Sequence, residues 1–118
     1  MVDLHGAIAR AIVLYFALLG LWGLVLAVRR APLDGSYRGA LIIGGALGVV
    51  QGIVGLVLFA LGLRPRDDLH YLYGLSVIVT LPLVQQYLAG RRVPTTLVYG
   101  LACLFIMGLG IRGITTGA

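Results

Sequence analysis

The sequence contains no lysine, no glutamate and only one cysteine. With Cys103 alone, the chain cannot form an internal disulfide, and its place inside an apolar run indicates a packing role. The acidic residues are all aspartates, and they lie near the ends of apolar runs. This excludes a small multidrug-type exporter of similar length, because such exporters need a carboxylate buried within the membrane.

Charge of either sign is scarce. Charged residues make up 11% of the chain and hydrophobic residues 60%, against about 25% and 45–50% in globular proteins. This composition excludes an ordinary soluble domain and indicates an integral membrane protein surrounded by the lipid bilayer. The net charge of +5 comes from arginines, most of them in short loops between apolar runs, so membrane topology explains it and we expect no nucleic-acid partner.

Four apolar runs are each long enough to cross a bilayer, which needs about 20 helical residues. Short connections between them force neighbouring helices to run antiparallel. The sequence therefore predicts an all-α integral membrane protein, an up-down-up-down four-helix bundle that forms a single domain over residues 1–118. The predicted helices are 4–28, 39–63, 69–89 and 95–114.

The loops predict an orientation. Arg29, Arg30 and Arg38 share one side of the membrane with Arg91 and Arg92. By the positive-inside rule these arginines face the cytoplasm and both termini lie outside. We expect the protein in the plasma membrane of a prokaryote, bacterial or archaeal.

A short pattern occurs twice. The tripeptide Asp-Leu-His stands at 3–5 and at 68–70, and each copy is followed by Arg-Arg-x-Pro, at 29–32 and 91–94. A tyrosine follows five residues after each of these prolines. The pattern predicts an internal two-helix repeat about an axis along the membrane normal. Chance recurrence of short interfacial motifs is the alternative.

The histidines of this repeat are the candidate ligands. His5 and His70 begin parallel helices, at the same depth and on opposite corners of the bundle, where the axes are roughly 11–14 Å apart. This gap suits a b-type haem whose iron is bound by one imidazole from each helix. Ala9 and Gly74, each four residues further on, would leave room for the macrocycle. Two hydrated interfacial histidines, a bare metal ion and a proton relay are the alternatives.

Four arginines lie near the same side as the histidines. Arg10 and Arg112 are the charges deepest within the apolar runs, and Arg64 and Arg66 stand in the second loop. If a haem is bound, these guanidinium groups are candidate partners for its propionates. Alternatively, the two deepest arginines reach toward the lipid headgroups.

Small residues mark one helix face. Gly44, Gly48 and Gly52 form a GxxxGxxxG pattern in the second helix. Such a pattern is typical of close helix packing in membranes. A second role for this face is an interface to a homo-oligomer or to a larger respiratory membrane complex.

Parts of the chain resemble a known family. His5 with Ala9 four residues later, and the run from Gln51 through Gly55 to His70, are similar to the heme A synthase family. The resemblance covers nearly the whole chain as one four-helix half of that family. It implies two haem-ligating histidines, His5 and His70, on parallel helices near the outer face.

The chain departs from that family in two places. The arginine that usually follows the first histidine is Gly6 here. The family's catalytic outer loop, with its glutamate and often paired cysteines, has no counterpart. The resemblance therefore implies haem binding without oxidation of a haem methyl group, and we assign no catalytic residue.

Taken together, these patterns predict a small cytochrome b-like membrane protein. It would bind haem b through His5 and His70 and serve electron transfer, or haem handling beside a respiratory oxidase. The alternative is a cofactor-free accessory or structural subunit of a larger membrane complex, docked through its glycine face.

Overall fold

The computed structural model describes residues 2–117, so that Met1 and Ala118, the ends of the predicted domain, lie outside the described residues. The described chain folds into four α-helices, which confirms the all-α prediction. Each helix is long and apolar enough to cross a membrane. They are α1 (Val2–Val28), α2 (Gly35–Ala60), α3 (Leu69–Leu88) and α4 (Thr95–Gly117).

Helix α2 begins four residues earlier than the sequence pattern predicts and ends three residues earlier. At its start, the Asp34 carboxylate accepts a hydrogen bond from the Tyr37 N–H at 2.7 Å and caps the helix. At its end, Gly62 adopts φ +84°, and the Leu63 N–H bonds to the Leu58 carbonyl at 3.0 Å. This left-handed cap stops the helix although the sequence stays apolar.

Helix α1 ends in the same kind of cap, but with an arginine in place of the glycine. The Ala31 N–H bonds to the Leu26 carbonyl at 2.9 Å, and the Arg30 N–H bonds to the Ala27 carbonyl at 3.0 Å. Arg30 itself has φ +53°. Only glycine adopts this conformation freely, so Arg30 is a strained end to the helix.

Helix α4 continues three residues beyond its predicted end. The hydroxyl groups of Thr115 and Thr116 both donate to the Arg112 carbonyl, at 2.9 and 2.8 Å. These side-chain bonds lie within the last turn of the helix, past the apolar run.

The closest approach of two backbones is between α1 and α4. A Cβ atom on Gly100 would lie 3.0 Å from the Leu24 nitrogen and 3.2 Å from the Gly20 carbonyl oxygen. A Cβ atom on Gly23 would lie 2.8 Å from the Gly100 Cα. Glycine is therefore required on both sides of this contact, which no local sequence pattern predicts.

The glycine pattern of α2 faces neighbouring side chains. A Cβ atom on Gly44 would lie 2.8 Å from Phe16 Cζ of α1, and one on Gly52 would lie 2.7 Å from Ile78 Cδ1 of α3. Gly48 is less crowded. The pattern thus serves packing within the chain. Its role in an oligomer stays a prediction.

Helix α3 is the least enclosed of the four. Each helix packs against two others: α1 against α2 and α4, and α3 against the same two. None of the residues of α3 is buried, whereas the other three helices all contribute to the core. The buried core consists of Ile12, Phe16, Leu19, Tyr37, Leu41, Cys103 and Ile106.

Candidate functional site

The two histidines meet across the molecule. His5 belongs to α1 and His70 to α3, two helices whose backbones are not in contact. Their imidazole rings nevertheless approach to 5.9 Å between centroids, with 64° between the ring planes. The side chains therefore bridge the gap between opposite helices.

His70 is held in a defined orientation by α4. Its Nδ1 lies 2.8 Å from the Gly113 carbonyl oxygen. Because a carbonyl can only accept, Nδ1 carries a proton, and in the neutral ring the lone pair is on Nε2. Metal-binding histidines usually show this arrangement, with one ring nitrogen donating to a carbonyl or carboxylate.

A glycine at the end of α4 makes room for the His70 ring. A Cβ atom on Gly117 would lie 2.8 Å from His70 Cε1 and 2.9 Å from its Nδ1. Gly113 and Gly117 were not predicted as site residues. Their i, i+4 spacing places them on one face of α4, and this spacing was the signal that could have revealed them.

His5 is anchored through its backbone. The Gln51 side-chain amide of α2 donates to the His5 carbonyl at 2.9 Å. Gly55, one turn further along α2, lies against the ring, since a Cβ atom there would be 3.4 Å from His5 Cε1. These two residues of α2 thus position the first histidine.

Two enclosed polar atoms at this site lack partners. Within residues 2–117, no hydrogen bond is made by Nδ1 of His5 or by Oε1 of Gln51, although both atoms are buried. An unsatisfied buried polar group costs about 1–3 kcal/mol.

The small residues predicted beside the histidines have different surroundings. Ala9 is half-buried, while Gly74 is exposed and a Cβ atom there would meet no atom within 4 Å. The side of α3 below His70 is therefore open.

The four candidate arginines are all exposed. The Arg64 guanidinium lies 4.0 Å from the Phe59 ring centre and donates to the Phe59 carbonyl at 2.9 Å. The Arg112 guanidinium lies 5.6 Å from the ring centre of Tyr73 on α3. Exposed contacts of this kind are worth about 0.5–1 kcal/mol, so a stronger anionic partner can displace them. Arg10 reaches back toward Gly6, the residue after His5, and Arg66 lies in the loop before α3.

The donor set constrains the chemistry. Within residues 2–117, no three residues among His, Cys, Asp and Glu come together as a metal site, so the protein offers two imidazoles alone. A porphyrin supplies four nitrogens in a plane and leaves two axial positions for such ligands. With metal–nitrogen bonds of about 2 Å, two axial imidazoles have ring centres about 6 Å apart, whatever the angle between their planes. The observed separation of 5.9 Å is compatible with two imidazoles on one iron, and it is also the separation of an ordinary edge contact such as that of Tyr15 with Phe16.

Comparisons with known proteins give no independent guide to this site. No protein-family model, no curated protein and no solved structure matches the chain at a significant level. The resemblance to the heme A synthase family therefore stays a prediction.

Proposed function

We propose that this chain is a small integral membrane protein that binds one b-type haem between α1 and α3, with His5 and His70 as the axial ligands. The observation that carries this proposal is the 5.9 Å separation of the two ring centres, with His70 oriented by the Gly113 carbonyl. Its role is electron transfer, or haem handling beside a respiratory oxidase.

The contacts between helix ends support an up-down-up-down bundle with a two-helix repeat. The start of α1 contacts the end of α2 at His5 and Gly55, and the start of α3 contacts the end of α4 at His70 and Gly117. The two histidines thus take equivalent places in the two helix pairs. The arginine-rich loops lie toward the opposite end, which we assign to the cytoplasm, and both termini then lie outside.

The protein groups around the haem would have distinct roles. His70, whose Nδ1 donates to the Gly113 carbonyl, would offer Nε2 as a ligand, and His5 would offer its imidazole from the opposite helix. The haem iron, once bound, would supply one-electron oxidation and reduction. The exposed Arg10, Arg64, Arg66 and Arg112 would pair with the propionates at the outer edge.

The decisive experiment is an absorption spectrum. The protein is expressed with added haem, purified in detergent and reduced. We expect the sharp visible bands of a low-spin haem with two histidine ligands. His5→Ala and His70→Ala should each lose these bands or the haem itself, because either change removes one axial ligand.

Tyr71→Leu is the matched control, because the Tyr71 ring packs 6.4 Å from the His70 ring but cannot ligate iron in a low-spin pair. This variant should keep the bands. Added imidazole should restore the low-spin spectrum of His5→Gly, which a purely structural histidine would not explain. A folded but colourless wild-type protein would overturn the proposal, and the accessory-subunit hypothesis would replace it.

A further inference from the structure

A crevice of about 250 Å³ opens between α2 and α3, far from the histidines. Its apolar walls include Leu41 and Ile42 from α2 and Leu81 and Pro82 from α3. It lies where the least enclosed helix meets its neighbour, since α3 contributes no buried residue. In a bilayer this opening would face lipid directly.

Polar groups gather in this crevice. Arg38, Gln85 and Tyr99 line it, one from each of α2, α3 and α4. Among residues 2–117, the side chains of these three residues make no hydrogen bond to the rest of the protein. One cation and two neutral hydrogen-bonding groups are thus available to a ligand with an anionic head and an apolar body.

The size of the crevice limits what it can hold. Pockets that enclose a whole small molecule usually measure about 300–1,000 Å³, so this one takes only part of a ligand. A lipid meets this condition, because its remaining chain can lie along the helices in the bilayer. The exposed Arg91 and Arg92 in the adjacent loop add positive charge that favours an anionic headgroup.

We propose that this crevice is a binding site for an anionic phospholipid. The phosphate is bound by the Arg38 guanidinium, with Gln85 and Tyr99 as further donors, and one acyl chain lies against the apolar walls between α2 and α3. The bound lipid fills the opening beside α3 and thereby stabilises the attachment of this helix to the other three.

The test measures the shift in melting temperature of the detergent-solubilised protein on adding phosphatidylglycerol. Phosphatidylcholine with the same acyl chains and inorganic phosphate are the comparison probes. We expect stabilisation by phosphatidylglycerol alone, because the site needs both the negative charge and the chain. Native mass spectrometry should show one retained phosphatidylglycerol.

Two matched pairs of variants locate the site. Arg38→Gln should weaken phosphatidylglycerol binding about fivefold, since a basic residue near anionic lipid contributes about 1 kcal/mol. Arg92→Gln, outside the crevice, should weaken it clearly less. Gly45→Leu directs a side chain into the crevice, and its Cβ atom would meet nothing within 4 Å. This variant should no longer retain phosphatidylglycerol. Gly39→Leu is the control, because a Cβ atom there also meets nothing within 4 Å but the residue lies outside the crevice, and it should retain the lipid.

Three results would overturn the proposal. The first is an equal loss of phosphatidylglycerol binding in Arg38→Gln and Arg92→Gln, which would indicate that the lipid is attracted by the overall positive charge and not bound in the crevice. Another is unchanged lipid retention by Gly45→Leu. The third is equal stabilisation by inorganic phosphate, which would make the acyl chain irrelevant.

Discussion

The contact between α1 and α4 allows a quantitative prediction from one added methyl group. In Gly100→Ala, the new Cβ would lie 3.0 Å from the Leu24 nitrogen, 3.2 Å from the Gly20 carbonyl oxygen and 3.2 Å from the Gly23 carbonyl carbon. All three are backbone atoms of a helix, which cannot rotate away as a side chain can. The two helices must therefore separate at their closest point.

The expected cost follows from two opposing terms. Overpacking of this kind costs about 1–3 kcal/mol. Alanine also stabilises a helix relative to glycine by about 1 kcal/mol. Gly108→Ala on the same helix should gain the helix propensity without the overpacking, because a Cβ atom there meets no atom within 4 Å. The free energy of unfolding should therefore be about 1–3 kcal/mol lower in Gly100→Ala than in Gly108→Ala.

The two variants can be compared by reversible unfolding in mixed micelles with increasing denaturing detergent. Fluorescence of Trp22 is a suitable signal, because this ring packs 5.0 Å from the Tyr37 ring beside the same contact. Equal stability of the two variants, or greater stability of Gly100→Ala, would refute the close backbone approach.

Three further predictions concern helix ends and topology. Asp34→Ala should lower stability by about 1 kcal/mol by removing the cap of α2, while Asp68→Ala, whose side chain caps nothing, should leave the unfolding midpoint unchanged. Arg30→Gly should raise stability by about 1 kcal/mol in the same unfolding assay, because it relieves a left-handed backbone conformation; a lower midpoint would contradict this. In a background without the native cysteine, Ser36→Cys should react with a membrane-impermeant thiol reagent only from the inside and Arg66→Cys only from the outside; the reverse pattern would invert the assigned orientation.

The number and type of helices could be predicted from the sequence, because a long apolar run in lipid must satisfy its backbone hydrogen bonds internally and therefore forms a helix. The helix ends were harder to predict. Apolar residues continue past Ala60, and only the left-handed conformation of Gly62 ends the helix there. The capping role of Asp34 was likewise missed, because a single aspartate in an arginine-rich loop is also a common surface residue.

The packing partners of the glycines could not be predicted from the sequence. The regular spacing of Gly44, Gly48 and Gly52 is easily seen in the sequence. In the structure, however, these glycines pack against side chains of two different helices, α1 and α3. The closest backbone contact instead pairs Gly23 with Gly100, two positions without a shared local pattern. A local spacing shows which residues share a face, but it does not show what that face meets.

The histidine site illustrates the same limit. The doubled Asp-Leu-His pattern placed His5 and His70 at one depth, and the structure brings their rings within contact. The residues that orient them, Gln51, Gly113 and Gly117, come from the other two helices. The i, i+4 spacing of Gly113 and Gly117 marks one face of α4, but only the fold shows that this face meets His70.

The close pairing of α1 with α4 has a consequence for biogenesis. During synthesis, α1 enters the membrane well before α4 emerges from the ribosome, so the surface around Gly20 and Gly23 has no partner in the meantime. Until α4 is inserted, this glycine surface of α1 contacts lipid or the insertion machinery. Contacts between distant segments also form slowly. Variants that weaken the α1–α4 contact should therefore reduce the yield of assembled protein more than their equilibrium stability suggests.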